Sequence, residues 1–186
     1  EKYRGYAADI HFSGEHLLRI INDLLDLAKI EAGRYVLYEE VVAVSEIVDS
    51  TMRIVKERAD DRGIKLTASA DTGDMALQAD RRLVLQMLIN LVGNALKFTP
   101  SGGAVTIEVE LGADSCHEIR VRDTGPGIPE DVMAKSYVPF GTGDSTIRSS
   151  GAGAGLGLPI TRSFAAMHDA ELTIESKPGE GTVATI

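Results

Sequence analysis

Residues 90–98 read NLVGNALKF, and the reading of this stretch decides that of the chain around it. Asn90, Asn94 and Lys97 are spaced by four and then three residues, so on a helix all three project from one face. Leu83, Met87 and Leu91 already supply an apolar face to the same helix, and asparagine is a poor helix former that needs a reason to be there. Two amides and an ammonium beside a core face therefore read either as a polar site turned toward a cavity or as an ordinary solvated side. Asp80 is placed to cap this helix, which runs to about Phe98, where TPSGG (99–103) breaks it.

Outward from there, AVTIEVEL (104–111) and HEIRVR (117–122) alternate as two half-buried antiparallel strands, and IKLTAS and DMALQA upstream look like further strands. Ser45 is a plausible N-cap for a helix carrying Ile47, Val48, Thr51, Val55 and Ala59 on one side and closed by Gly63. Downstream, a glycine-rich stretch fills much of 125–157. A helix follows to about His168, and ELTIES and GTVATI form a hairpin about Lys177–Glu180. Residues from about 40 onward thus predict an α+β fold: a two-layer α/β sandwich with a mixed sheet, not a doubly wound one, because strands pair as neighbours rather than alternating with helices.

The first thirty residues are different. Tyr3, Tyr6, Ile10, Ser13, Leu17, Ile20, Leu24 and Leu27 recur at spacings of three and four, with Leu18, Ile21, Leu25 and Ala28 beside them. This is the wide apolar face of a helix-bundle member, which needs a hairpin mate or a second chain to bury it. Gly33 stops the helix, and YVLYEEVV reads as a linker or short strand. Three units result: a long bundle helix (1–33), a linker (34–44) and a domain (45–186). A start within a helix and an end within an apparent strand suggest a piece of a longer chain.

Composition narrows the function. The 186 residues carry a formal net charge of −9, with no basic face to neutralise nucleic-acid phosphates. Cys116 is the single cysteine, which excludes an internal disulfide and reads as an inert thiol. No apolar run approaches the ~18 residues that span a bilayer and no signal peptide opens the chain, so this piece is expected in the cytoplasm without membrane contact, although a longer parent could be anchored.

Two more motifs carry chemistry. DTGPGIP (123–129) follows a strand directly: Asp123 offers an acceptor suited to an exocyclic amine, and Gly125 and Gly127 allow close approach to a flat ligand or positive φ. Alone it is equally a turn. GAGAGLGLPI (151–160) leads into a helix, so backbone N–H groups and the positive helix end could meet a polyphosphate. It is neither a P-loop nor a dinucleotide fingerprint, and alone it is a flexible loop.

In this order, the motifs resemble the Bergerat ATP-binding fold, and within it the catalytic domain of sensor histidine kinases of two-component systems. NLVGNALKF resembles that family's N box, DTGPG its first glycine box, Phe140 in VPFG its F box, GAGLGL its second glycine box and GEGT (179–182) its last glycine motif. INDLLDLAKIEAG (21–33) resembles the end of the second dimerisation helix. The wording GLGLPIT and the helix SGEHLLRIINDLLDLAKIEAGR look like the PleC/DivJ-type cell-cycle kinases.

The resemblance implies a set of roles. Asn94 would coordinate Mg2+ with Asn90 assisting, and Lys97 would neutralise phosphate charge. Asp123 would bind the adenine amine in a pocket shaped by Gly125 and Gly127. Residues 141–152 would form a lid hinged at Phe140, its cation Arg148 within reach of a phosphate. Gly153, Gly155 and Gly157, with Leu156 among them, would complete the ATP site. It also implies a homodimer through the bundle helix and a response-regulator receiver domain as phosphoryl acceptor downstream.

Two departures stand out. Ala154 replaces a hydroxyl residue common between the glycines. The phosphoacceptor box is absent, because His11 and His16 lack its context, so no catalytic residue is assigned within the chain. His117 and His168 have no acidic partner at useful spacing and are expected at the surface. The leading expectation is a kinase module that binds Mg-ATP and phosphorylates a histidine on an absent helix. A pseudokinase scaffold retaining the nucleotide site is an alternative. A clamp ATPase of the same superfamily is disfavoured because Asn90 stands where those enzymes carry a water-activating glutamate, and an amide is no general base.

Overall fold

The computed structural model describes residues 2–69, 75–111, 117–139, 141 and 155–186. Helix α1 (Lys2–Glu31) leads through a linker to β1 (Glu40–Ala43), followed by α2 (Val44–Asp61), β2 (Lys65–Ser69), β3 (Ala76–Ala79), α3 (Arg81–Phe98), β4 (Ala104–Leu111), β5 (His117–Asp123), α4 (Glu130–Ser136), α5 (Gly157–Met167), β6 (Thr173–Lys177) and β7 (Gly181–Thr185).

Five strands form one sheet in the order β2-β4-β5-β7-β6, and the only parallel pair among them is β2 with β4. The period-two pattern explains the two faces. Val105, Ile107 and Val109 on β4 and Ile119 and Val121 on β5 are buried beneath the helices. Their alternates carry charge: Arg120 pairs with Glu110 and Glu118 at 2.6 Å each, and Arg122 lies 3.5 Å from Glu108. One face packs and the other is solvated, which is the expected two-layer mixed α/β sandwich. Leu88, Leu96, Ile107, Ile160 and Phe164 are among the largest fully buried side chains and join helix layer to sheet.

Several details depart from the sequence expectations. Helix α2 starts at Val44 with Ala43 as its N-cap and no side-chain cap, so Ser45 sits inside the first turn. The strand from DMALQA does not join the main sheet. It pairs antiparallel with β1, Glu40 opposite Ala79, so the linker strand is stitched to the segment that opens α3. A short helix, α4, for which the sequence offered no expectation, lies inside the glycine-rich stretch.

Helix α1 is half engaged. Its C-terminal residues Leu27 and Ile30 pack on the core, and the Tyr35 ring meets Phe164 edge-on at 5.5 Å. Farther back, Tyr3 is 87% exposed, and Tyr6, Ile10, Leu17, Leu18, Ile21, Leu24 and Leu25 are all exposed. Apart from the half-buried Ile20 and Leu27, the two apolar rows read in the sequence therefore lie open on this chain.

Candidate functional site

Helix α3 carries the first group of candidate residues and is held at both ends. At its start Asp80, 1% exposed, accepts from the Arg82 backbone N–H at 3.1 Å and from the Arg82 guanidinium at 2.8 and 3.2 Å. It also takes the Tyr38 N–H at 3.1 Å, which ties the linker to the helix cap. Burial alone would raise the Asp80 pKa, but the Arg82 and Tyr38 donors outweigh it and hold the carboxyl below its ordinary value. His168 corrects its surface assignment. It is half-buried, its Nε2 accepts the Asp80 N–H at 3.0 Å and its Nδ1 lies 2.7 Å from the Phe164 carbonyl, so it fastens the end of α5 to the start of α3.

At the other end, the Arg62 guanidinium donates to the Leu96 and Lys97 carbonyls at 3.1 and 3.0 Å, satisfying acceptors of the last turn. Lys97 itself is half-buried, with its ammonium 4.9 Å from the centroid of the Phe98 ring. Burial first, and the neighbouring Arg62 charge second, lower its pKa. Asn90 and Asn94 are likewise half-buried, on the same side of the helix as Lys97.

The DTGPG loop comes to the C-terminal end of α3. Asp123 continues the inward series Ile119, Val121, so the sheet's own period aims a carboxylate into the helix layer, where it is 8% exposed. Its Oδ1 accepts the Gly125 N–H at 2.7 Å. Burial raises its pKa; the Gly125 N–H and the Thr182 N–H and hydroxyl pull the other way without reversing the shift. A Cβ on Gly125 would stand 2.7 Å from that carboxylate and 3.4 Å from the Phe98 carbonyl, so glycine is what lets this loop close against α3. Gly127, with φ +74°, faces elsewhere: a Cβ there would collide with the Lys177 carbonyl, so its place is against the β6–β7 hairpin.

The third motif meets the middle of α3. Helix α5 begins at Gly157 with Leu156 as an N-cap that makes no side-chain hydrogen bond to the first turn. A Cβ on Gly157 would lie 3.7 Å from the Asn90 amide carbon, and Thr161 Oγ1 lies 3.5 Å from Asn90 Nδ2. Gly155 has φ +70°, and the Leu156 side chain is packed in the core. The start of α5 thus meets α3 at Asn90, and the Asp123–Gly125 turn meets it at Phe98, one residue past Lys97. Phe140, Arg148, Gly153 and the lid segment 142–152 lie outside the described residues, as does Cys116, and the side chain of His16 is likewise outside them. His11 is exposed and pairs with Glu15 at 3.3 Å.

Two residues were missed by sequence reasoning. Thr182, the last letter of GEGT, sits beside Asp123 across the β5–β7 pair. Thr161, the last of GLGLPIT, touches Asn90. Each lay inside a motif already noticed for its glycines.

The fold and this arrangement define an ATPase-type domain. Residues 79–186 match the family described as histidine kinase-, DNA gyrase B- and HSP90-like ATPase, and the chain belongs to that family. Its relatives narrow the class to histidine kinases. The chain is 43% identical over 189 residues to histidine protein kinase DivJ and 41% identical to the non-motile and phage-resistance protein, both of Caulobacter vibrioides, and is covered completely by each. It spans 31% and 22% of their lengths. Among solved structures it is similar over its whole length, and over 38% of that chain, to full-length ShkA in complex with AMPPNP (TM-score 0.83, 27% identity). It is also similar, over 95% of its length and 48% of that chain, to the histidine kinase ThkA in complex with the response regulator TrrA (TM-score 0.73, 25% identity). No helix among the described residues is long and apolar enough to cross a membrane.

Proposed function

We propose that this chain is the catalytic module that binds Mg-ATP and delivers its γ-phosphoryl group to a histidine on a helix outside the chain, for relay to the receiver domain of a response regulator. The observation that carries the reading is the meeting of three motifs on α3. The helix that carries Asn90, Asn94 and Lys97 is met at Asn90 by an uncapped helix start and at Phe98 by the turn that holds a buried carboxylate.

These groups suit a magnesium nucleotide in kind. Asn94 and Asn90 offer the neutral oxygen ligands that magnesium accepts alongside phosphates and water. The uncapped first turn of α5 offers N–H donors to phosphate oxygens. Lys97 adds a positive charge, and Asp123 an acceptor for the adenine amine. Phe140, Arg148 and Gly153 are assigned to the same site by family resemblance. When bound, Mg2+ shields the phosphate charge that would repel a nucleophile. In the transfer, the bond from the γ-phosphorus to the β,γ-bridging oxygen breaks, a phosphorus–nitrogen bond to the imidazole forms, and ADP leaves.

Asn90 argues against water as the acceptor, since an amide takes up no proton. The open rows of α1 suit a homodimer in which four such helices form a bundle. The relatives' histidine kinase names and the ThkA–TrrA complex support the receiver-domain partner. The test is transfer in trans. With Mg-ATP alone the chain is expected to bind nucleotide, label negligibly and turn over little. Mixed with a histidine-bearing helical hairpin of its parent, it is expected to give an acid-labile phosphoramidate on that hairpin. Fast ATP turnover by the isolated chain would overturn the kinase reading.

A further inference from the structure

We propose that Thr161 is a positioning residue that fixes which way the Asn90 amide faces, and so makes Asn90 an oxygen ligand rather than a donor toward Mg-ATP. The inference rests on the nucleotide-site reading above and deepens it.

Thr161 is 0% exposed and lies one turn into α5. Its hydroxyl has a single proton, and that proton is committed: Oγ1 donates to the Gly157 carbonyl at 2.8 Å. What Oγ1 has left are lone pairs, so any partner it faces must be a donor. The atom it faces belongs to Asn90, with Nδ2 at 3.5 Å. At that length the bond is weak on its own, but the choice it enforces is sharp. Turning the amide over would set a carbonyl oxygen against an oxygen with no proton to give. The two helices also run close here, since a Cβ added to Gly157 would stand 3.7 Å from the Asn90 amide carbon. With Nδ2 directed at Thr161, the planar amide presents Oδ1 on its other branch, the atom a hard cation binds. A valine at 161 would keep the shape and lose the preference. The start of α5, whose glycines face the phosphates in the proposed site, thereby also sets the polarity of an amide on α3.

The test compares Thr161→Val, Thr161→Ala and Thr161→Ser with the parent protein. In nucleotide-free, 15N-labelled protein, the Asn90 side-chain amide is expected to be held in one orientation in the parent and Thr161→Ser. In Thr161→Val and Thr161→Ala it is expected to approach the shift and solvent exchange of a free amide. Binding of a fluorescent ATP analogue is then followed at rising Mg2+. The two hydroxyl-free variants should need roughly two- to threefold more Mg2+ for half-maximal binding, the low end of the worth of one hydrogen bond, and Thr161→Ser should match the parent. Unchanged Mg2+ dependence in both hydroxyl-free variants, or failure of serine to restore it, would overturn the positioning role. No Mg2+-dependent binding by the parent would instead refute the nucleotide site, while the amide spectra would still report on the Thr161–Asn90 contact.

Discussion

Replacing Asp123 by Asn tests the adenine end of the site with the smallest possible change in shape. In the structure one carboxylate oxygen is committed to the Gly125 N–H at 2.7 Å, and the side chain is 8% exposed. An asparagine would keep its one carbonyl oxygen on that N–H and so turn its NH2 group to the remaining side. A base whose exocyclic amine donates there would then meet a donor. A hydrogen bond to a charged group is worth about 1.5–3 kcal/mol, so ATP affinity should fall roughly ten- to a hundredfold. A base presenting a carbonyl at that position, as guanine does, should lose less. The pH dependence carries an independent signature. Burial raises the Asp123 pKa, so the fold favours the protonated acid. That contribution to stability is complete below the unfolded value of about 3.9 and is lost as pH rises through the folded one, leaving an ionised carboxylate that costs the fold at neutral pH. Nucleotide affinity runs in the opposite sense: it should weaken as pH falls through the raised pKa, and this component should vanish in Asp123→Asn. Calorimetric titration with ATP and GTP across pH measures both. Equal ATP affinity in the two proteins at neutral pH would refute the assignment.

Asn94→Ala should abolish the Mg2+ dependence of ATP binding, measured by titration with and without the metal. Arg62→Leu removes two donors from the last turn of α3; a loss of about 1 kcal/mol is expected, read as a fall of roughly 0.5 M in the urea midpoint. The same change should raise the Lys97 pKa, seen by NMR titration of its side chain, because the Arg62 charge now lowers it. Asp80→Ala removes a helix cap and should cost about 0.5–2 kcal/mol; because the Asp80 pKa is lowered, the stability it supplies is present above the unfolded value and fades as pH falls through the folded one, so parent and variant should converge in acid melts. The open rows of α1 should drive self-association, and Ile10→Glu with Leu17→Glu should return the chain to a monomer in sedimentation equilibrium.

Much of this was legible because it is local. The spacing of Asn90, Asn94 and Lys97 needs only the helical period, and the strand period places Asp123 inward after Ile119 and Val121. The parallel pairing of β2 with β4 across α3 was not legible, since alternation within a strand says which face is buried and nothing about the neighbour. His168 was misplaced for a related reason. Its partners are the Asp80 N–H and the Phe164 carbonyl, main-chain groups that a search for acidic side chains passes over. For Gly127 the sequence allows close approach to a ligand or positive φ without choosing between them; the structure shows φ +74° and crowding from the Lys177 carbonyl of the hairpin, a long-range neighbour that no local pattern reveals.

The placement of α3 has a consequence for how the site is held. Its first residue is fastened by Asp80 to Tyr38 of the linker and to His168 at the end of α5. Its middle is met by Thr161 and Gly157, and its last turn by Arg62 from α2. The linker and α5 also pack on the core through other residues, and α5 meets α3 twice, at Thr161 within the helix and through His168 just past its end, so a shift of the linker that moves the start of α3 also bears on α5. Linker, cap and α5 are therefore tied together through α3 in this structure. Loosening the Asp80–Tyr38 bond should disturb Asn90 through α5, and Asp80→Ala should broaden the Asn90 side-chain amide signal although the two residues lie ten positions apart on α3.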